Sequence, residues 1–509
     1  MAPDRDDALN IGPVGGEEIV VVPWPLLLRR RVARRIRSGD RFRWWVLWSV
    51  LAGLFSVYAV FTLMAVALPR IAGEFDTTTS TMTWVVTGPL LVFGVAAPLL
   101  GKSGDVFGHR RLYLIGMAVA FVCAGLTAVA PSAATLIAVR MVAALGSGAV
   151  GSASMALIFT VFEPHDRVKA MGFWSLVGAG APVIGVAAGG PLVEAVGWRW
   201  VFAAQAPLVA LAALLCLAVL PETTRSASRA LDWRGVLTLS VAVTSLLLAL
   251  NRGPALGWTS PFVLGGFALA PLAAAAFVYV ERRAVDPLVP LQYFRRRNFV
   301  FPAGALAFSQ FAYMGGFILS PLLLGGPMFG YGESRIGFIV LSRPLSFSII
   351  APIAGYVAVR VGERSAAVVG TAAIAVSMAV FAVVGPGDVG IVVAALLLSG
   401  LGNGIASPSL ASSVANTVSD EHLGVAGAAQ QLLVQVGVVA GIQVMQTVQA
   451  SREAAVGVEQ SFGDAYVVGG VAALLAVACA VFVRSAVRDE GAPAGALETA
   501  PACGESLRR

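Results

Sequence analysis

The chain has 509 residues, of which 58% are hydrophobic and only 12% charged, and its net charge is +7. A soluble globular protein carries about 25% charged residues, so these figures exclude an ordinary water-soluble enzyme or binding domain. The four cysteines make no framework: Cys123, Cys216 and Cys479 fall inside apolar runs and Cys503 in the tail, where small buried residues are expected rather than disulfides or metal ligands.

Nine arginines precede residue 44, and RRRVARRIR (29–37) suits the anionic inner face of a membrane better than nucleic acid. The run IVVVPWPLLL before it is too short to span and holds two prolines, which leaves an interfacial or a disordered segment open. Its bases follow the apolar run instead of preceding it, so no cleaved secretory signal is expected. From residue 46 onward uncharged apolar blocks recur, each long enough to cross a bilayer as a helix. They place spans at 46–68, 83–100, 112–130, 133–152, 170–190, 200–219, 235–251, 262–280, 299–323, 335–356, 366–384, 391–413, 425–446 and 464–483. Unbroken apolar runs argue for helices, since barrel strands would alternate. The fold class is therefore an all-α polytopic membrane protein with fourteen transmembrane helices. The last stretch, GAPAGALETAPACGESLRR, reads as disordered.

Arginine and lysine set the direction. With both termini cytoplasmic, 28 of the 35 bases fall inside and five outside (Arg70, Arg199, Arg252, Arg335 and Arg452), while Arg140 and Arg343 lie within spans. That asymmetry is what the positive-inside rule requires. Trp44, Trp45, Trp84, Trp198, Trp200 and Trp258 stand near span ends, as an interfacial belt would.

The chain also repeats itself. Gly101, Gly108 and Arg110 recur at the same intervals as Gly355, Gly362 and Arg364, and AALGSG (143–148) is echoed by SGLGNG (399–404). A duplicated bundle follows: a basic tail at 1–44, six helices in 45–220, a linker with two extra helices in 221–298, six helices in 299–484, and a tail from 485. Internal repeats of this kind mark alternating-access carriers, with the substrate where the halves meet.

The packet GKSGDVFGHRR (101–111) resembles the cytoplasmic signature of the major facilitator superfamily. WVVTGPLL (84–91), GGPLVEAVGWRWVF (189–202), LDWRG (231–235), GWTSP (257–261) and DPLVPLQYFRRRNF (286–299) resemble its fourteen-span drug/proton antiporter family. The resemblance implies two six-helix bundles with two inserted helices. It also implies that Gly101, Gly104, Asp105, Gly108, Arg110 and Arg111 latch the halves on the cytoplasmic side. Physically, the glycines permit tight turning and close helix ends, and Asp105 is expected to favour a helix N-terminus or to pair with Arg110, Arg111 or a base of the other half. A plain charged turn is the alternative. In the second copy Val359 stands at the acid's position, so a one-sided latch is expected.

Arg140 matches the family's fourth-helix arginine, although Ala143 and Ala144 replace the residues usual after it. A guanidinium inside a span costs about 3 kcal/mol and lines a cavity, finds a partner or snorkels. Arg343, before Pro344, is placed similarly or at the interface. GAGAPVIGVAAGGP (178–191) resembles the antiporter signature, with Val186 in place of its usual proline. Gly178, Gly180, Pro182, Gly185, Gly189 and Gly190 are expected to pack helices closely. The family's first-helix acid is Val60 here and its asparagine Ala65, and no Asp or Glu lies deep in any span. A cavity with arginine and no carboxylate disfavours cations. Thr62, Gln205, Gln310, Tyr313, Asn403, Gln430, Gln431 and Gln435 are candidates to line it with Arg140 and Arg343, or to bond neighbouring helices.

The function expected is secondary active export of hydrophobic, neutral or anionic drugs or natural products, driven by a proton gradient and without a cofactor. A small-solute importer or facilitator, or a receptor without transport, are the alternatives. The expected partners are the bilayer and a small amphipathic substrate, not nucleic acid, with a functional monomer in a bacterial cytoplasmic (inner) membrane. The chain carries no Gly-x-x-x-x-Gly-Lys-Ser/Thr loop and no metal or nucleophile constellation, so neither an ATP-driven pump nor an enzyme is expected.

Overall fold

A computed structural model of the chain describes residues 41–59, 63–77, 82, 84–223, 232–284, 287, 291–419 and 423–484. The described residues from Arg43 onward form one compact unit. Its first half contains α1 (Phe42–Tyr58), α2 (Leu63–Glu74), α3 (Trp84–Phe107), α4 (His109–Ala128), α5 (Ala133–Val161), α6 (Arg167–Val196) and α7 (Trp198–Val219). The inserted pair is α8 (Trp233–Leu256) and α9 (Pro261–Glu281). A 3-10 turn, Leu291–Arg295, leads into α10 (Arg297–Gly325), α11 (Glu333–Val361), α12 (Glu363–Ala382), α13 (Val389–Ala415), α14 (Leu423–Val456) and α15 (Val458–Val481).

Among the described residues, the twelve helices α4 to α15 are long and apolar enough to cross a membrane. The first two predicted spans fall on α1, α2 and α3, where part of the chain lies outside the described residues, so twelve of the fourteen predicted spans are supported. Several helices outrun their predicted spans. The fourth span is predicted to end at 152, yet α5 continues to Val161. Its serines do not break it, because Ser152 and Ser154 donate back to the carbonyls of Gly148 and Gly151 at 2.9 and 2.6 Å.

The duplication is visible in the backbone. Gly108, between α3 and α4, has φ +99°, and Gly362, between α11 and α12, has φ +89°. Each donates its N–H four residues back at 2.8 Å, to Gly104 and to Ala358. Only glycine holds such a corner without strain. The helices that follow cross alike. A methyl on Gly116 of α4 would lie 2.8 Å from the Gly146 carbonyl oxygen of α5, and one on Gly370 of α12 would lie 2.6 Å from that of Gly402 on α13.

Three cores organise the unit. Met64, Ile71, Met82, Leu136, Trp198 and Phe202 form one, all from the first half and all at the end away from residues 101–111. Leu319, Leu323, Met378, Phe381, Leu396 and Tyr466 form its counterpart in the second half, at the same end. A third lies at the motif end and is shared: Met155, Phe159 and Met171 pack with Phe299, Val414, Leu423 and Ala426. The inserted pair packs against both halves: Val243, Leu247 and Leu250 of α8 meet Val439 of α14, and Arg252 of α8 lies 4.6 Å from the Trp84 ring of α3.

The tryptophans divide. Trp45 and Trp200 are exposed, as belt residues should be, but Trp198 is buried and donates its indole N–H to Glu74 at 2.7 Å. Its position near a span end reflects a tie between α2 and α7, not an anchor in lipid.

Candidate transport site and the contacts between the halves

Asp105 ends α3 and is almost completely buried. Its Oδ1 accepts the backbone N–H of Gly424, at the start of α14, at 3.0 Å. The first amides of a helix lack partners in their own helix and carry the positive end of its dipole, so a carboxylate is favoured there. The same Oδ1 lies 3.0 Å from Nε2 of His109, which therefore carries the proton. The glycines make this fit. A methyl on Gly104 would collide with the His109 imidazole, and one on Gly424 would lie 2.7 Å from the carbonyl oxygen of Gly101. Arg110 turns elsewhere, to Glu222 and to the Leu217 carbonyl at 3.0 Å, and Arg111 is exposed. Among the described contacts, Asp105 thus meets a histidine of its own motif and an amide of the other half. Lys102 donates to the Pro287 carbonyl at 3.2 Å, which ties the packet to the segment behind the inserted pair.

The second copy has an acid of its own. Glu363 is buried, and accepts from the hydroxyls of Ser412 and Ser413 at 2.6 Å each and from the Asn416 amide at 3.3 Å. Asn416 in turn accepts from Arg167, at the start of α6 in the first half, at 3.1 Å and donates to the Pro164 carbonyl at 3.3 Å. Arg167 is anchored by the carbonyls of Phe159 and Phe162. The one-sided contact expected from Val359 is therefore corrected. The acid has moved to the residue after the glycine, where His109 stands in the first copy.

The halves also touch backbone to backbone. A methyl on Gly355 of α11 would lie 2.8 Å from the Val168 carbonyl oxygen, and one on Gly172 of α6 would lie 2.5 Å from that of Ala351. Within the predicted packing motif, Gly180 comes close to Ser348, 3.2 Å from where its own methyl would be, while Gly178 meets only Trp174 of its own helix. Gly185 is buried; of Pro182, Gly189 and Gly190 only the helical backbone is described. Of these approaches between α6 and α11 the closest thus lies a few residues before the motif, at Gly172 against Ala351, with Gly355 of the repeat one turn further along α11. Beside it, Asp166 is bound by Lys169 at 2.5 Å and Arg43 at 2.9 Å, with His165 at 3.5 Å. Burial alone would raise its carboxyl; the Lys169 hydrogen bond and the three cations outweigh that and hold it below the usual carboxylate range.

Both intramembrane arginines are buried, and each finds its neighbours within its own half. Arg140 is 8% exposed and lies 5.4 Å over the Phe202 ring. It lines a cavity of about 20 Å³ with Val57, Cys123, Ala124, Ser147 and Gln205. A cation–π contact is worth about 0.5–2 kcal/mol, which falls short of the roughly 3 kcal/mol that burying the charge costs. Arg343 is fully buried; its Nη2 donates to Ser399 at 2.5 Å and its guanidinium lies 4.1 Å from the Tyr313 ring centre. Gln205 donates to the Ser56 carbonyl at 3.0 Å, so this amide bonds a neighbouring helix. Gln430 is buried and Gln431 half-buried. Gln310 Oε1, Gln435 Nε2 and both polar atoms of Asn403 are buried without a hydrogen-bond partner. Gln310 and Gln435 lie near the close contacts of α10 with α14, where methyls on Gly441 and Gly437 would collide with the carbonyls of Phe311 and Ala307. Thr62 lies outside the described residues. Among the described residues no cluster of three or more metal-ligating side chains forms.

The family model described as Major Facilitator Superfamily matches residues 50–442. The tetracenomycin C resistance and export protein of Streptomyces glaucescens is 31% identical, over 91% of this chain and 96% of its own. The methylenomycin A resistance protein of Streptomyces coelicolor is 30% identical over 81% and 88%, and the multidrug resistance protein Stp of Mycobacterium tuberculosis 28% over 78% and 74%. The crystal structure of the human organic anion transporter MFSD10 (TETRAN) shares the fold, with a TM-score of 0.61 at 19% identity, covering 85% of this chain and 99% of that one. Two repeated helical halves joined through the 101–111 packet, together with a family match across most of its length, make this chain a member of the major facilitator superfamily.

Proposed function

We propose that the protein is a secondary active exporter of hydrophobic, neutral or anionic drugs or natural products, working by alternating access. The observation that carries this reading is the distribution of contacts between the halves. Asp105 to Gly424, Asn416 to Arg167, Gly172 to Ala351 and the shared core all lie at the motif end. At the other end each half keeps its own core. With the motif end cytoplasmic, by the excess of inside bases, this is the outward-facing arrangement of a carrier. Relatives named for resistance to tetracenomycin C, methylenomycin A and multiple drugs support export.

The substrate class follows from charge. The spans hold Arg140 and Arg343 and no deep carboxylate, so a cation would meet no counter-charge. Energy from a proton gradient, function as a monomer and a cytoplasmic-membrane location complete the proposal. Efflux of a neutral or anionic antibiotic from proteoliposomes, with and without an imposed pH gradient, tests it. Gradient-dependent efflux is the expected result. Equal leak with and without the protein, across a panel that includes tetracenomycin C, would refute export.

A further inference from the structure

We propose that the cavity around Arg140 binds a small monovalent anion, chloride being the common one in water. The cavity is about 20 Å³, enough for one water-sized or monatomic species, which needs roughly 10–15 Å³. It is too small for a drug in this arrangement of the helices, so the proposal does not depend on which substrate the chain carries.

The lining explains the need for an anion. Arginine keeps its proton at any physiological pH, and a buried charge requires a counter-charge or a full set of hydrogen bonds. Arg140 Nε is buried without a hydrogen-bond partner. Of the other polar groups around the cavity, the Gln205 amide donates to the Ser56 carbonyl and the Ser147 hydroxyl to that of Ala143, and the Cys123 thiol offers only weak hydrogen bonding. The helices α1, α4, α5 and α7 contain no Asp or Glu. The one acid of α3, Asp105, is bound at the motif end to Gly424 and His109. The negative charge that Arg140 lacks must therefore come from solution. Arg343 is a useful contrast. Its Nε and Nη1 are also buried without a hydrogen-bond partner, but Ser399 accepts from its Nη2 and its guanidinium lies over the Tyr313 ring, so part of its need is met within the protein.

The test uses the purified full chain in detergent. Radioactive chloride binding is measured by equilibrium dialysis, and melting is followed in chloride, bromide, gluconate and sulfate at equal ionic strength. The expected result is one saturable chloride site per chain and a melting temperature raised by chloride and bromide only. Arg140→Met should weaken chloride binding by roughly tenfold or more, the scale of one charge-assisted contact, and Arg140→Lys should retain part of it. Ala124→Leu fills the cavity while keeping the charge, and should also abolish binding; it decides the matter if Arg140→Met does not fold. No saturable binding by the wild-type chain, or unchanged binding in Ala124→Leu, overturns the proposal.

Discussion

Asp105 stands three residues before Gly108, whereas Glu363 directly follows Gly362, so the two repeats bring a carboxylate to the closed end from different positions. Asp105 engages a helix N-terminus directly; Glu363 works through Asn416, which it orients toward Arg167. Asp105→Asn keeps an oxygen for the Gly424 amide but loses its charge, and a charge-assisted hydrogen bond contributes about 1.5–3 kcal/mol against about 1 for a neutral one. In the proposed cycle, initial efflux by Asp105→Asn should fall several-fold with expression unchanged, measured by dye efflux from inverted vesicles. Gly424→Ala should be worse, because its methyl would meet the Gly101 carbonyl oxygen at 2.7 Å. Wild-type efflux by Gly424→Ala would mean that α3 and α14 need not close this tightly. Asp166 gives a prediction in pH. Its folded-state pKa is depressed, so the stability it contributes is present above its unfolded value of about 3.9 and is lost as pH falls through the lower folded value. The gap in melting temperature between wild type and Asp166→Asn should be widest near neutrality and close below about pH 4. A gap independent of pH would show that Lys169 and Arg43 do not act on the charge.

The helices themselves were legible because lipid allows few alternatives: an uncharged run of this length must satisfy its backbone internally. Their ends were less so. The predicted fourth span stops at 152 after a bilayer's length, but MALIF (155–159) is still apolar and packs into the shared core, so the helix runs on to Val161. The repeat located Gly362 and its corner, yet it misjudged the acid, since alignment by interval looked only at Val359 and passed over Glu363. Gln205 and Tyr313 were among the candidates and do stand beside Arg140 and Arg343, but which residue meets which arginine was not readable, because the inward face of a helix depends on several other helices. Glycine at helix crossings offers a direct test at this scale. On α4, Gly116 lies against the Gly146 backbone, while a methyl on Gly125 would meet nothing within 4 Å. Gly116→Ala forces two helices apart and should destabilise by about 1–3 kcal/mol. Gly125→Ala should be neutral or slightly stabilising. Thermal melting of the two variants in one detergent separates them, and equal melting temperatures would remove the close crossing as an account of the repeated glycines.

For the whole molecule, alternating access requires every contact at the motif end to break together. The Asp105–Gly424 and Glu363–Asn416–Arg167 contacts lie on different helix pairs, α3 with α14 and α13 with α6. Each adds to the stability of the closed end without touching the other. Weakening a contact of about 1–3 kcal/mol shifts a two-state equilibrium by roughly 5- to 150-fold. The shift is measurable as a distance between spin labels at positions 163 and 360, both exposed and on opposite halves at this end, in a background without the native cysteines. Asp105→Asn and Glu363→Gln should each raise the population with a longer distance, and the double variant should add their free energies within about 0.5 kcal/mol, as independent sites do. A shift with Asp105→Asn but none with Glu363→Gln would reduce the second contact to local packing within the second half. No shift with either would mean that closure rests on the shared apolar core around Met155, Phe159 and Leu423, and that the charged packet only shapes the turn.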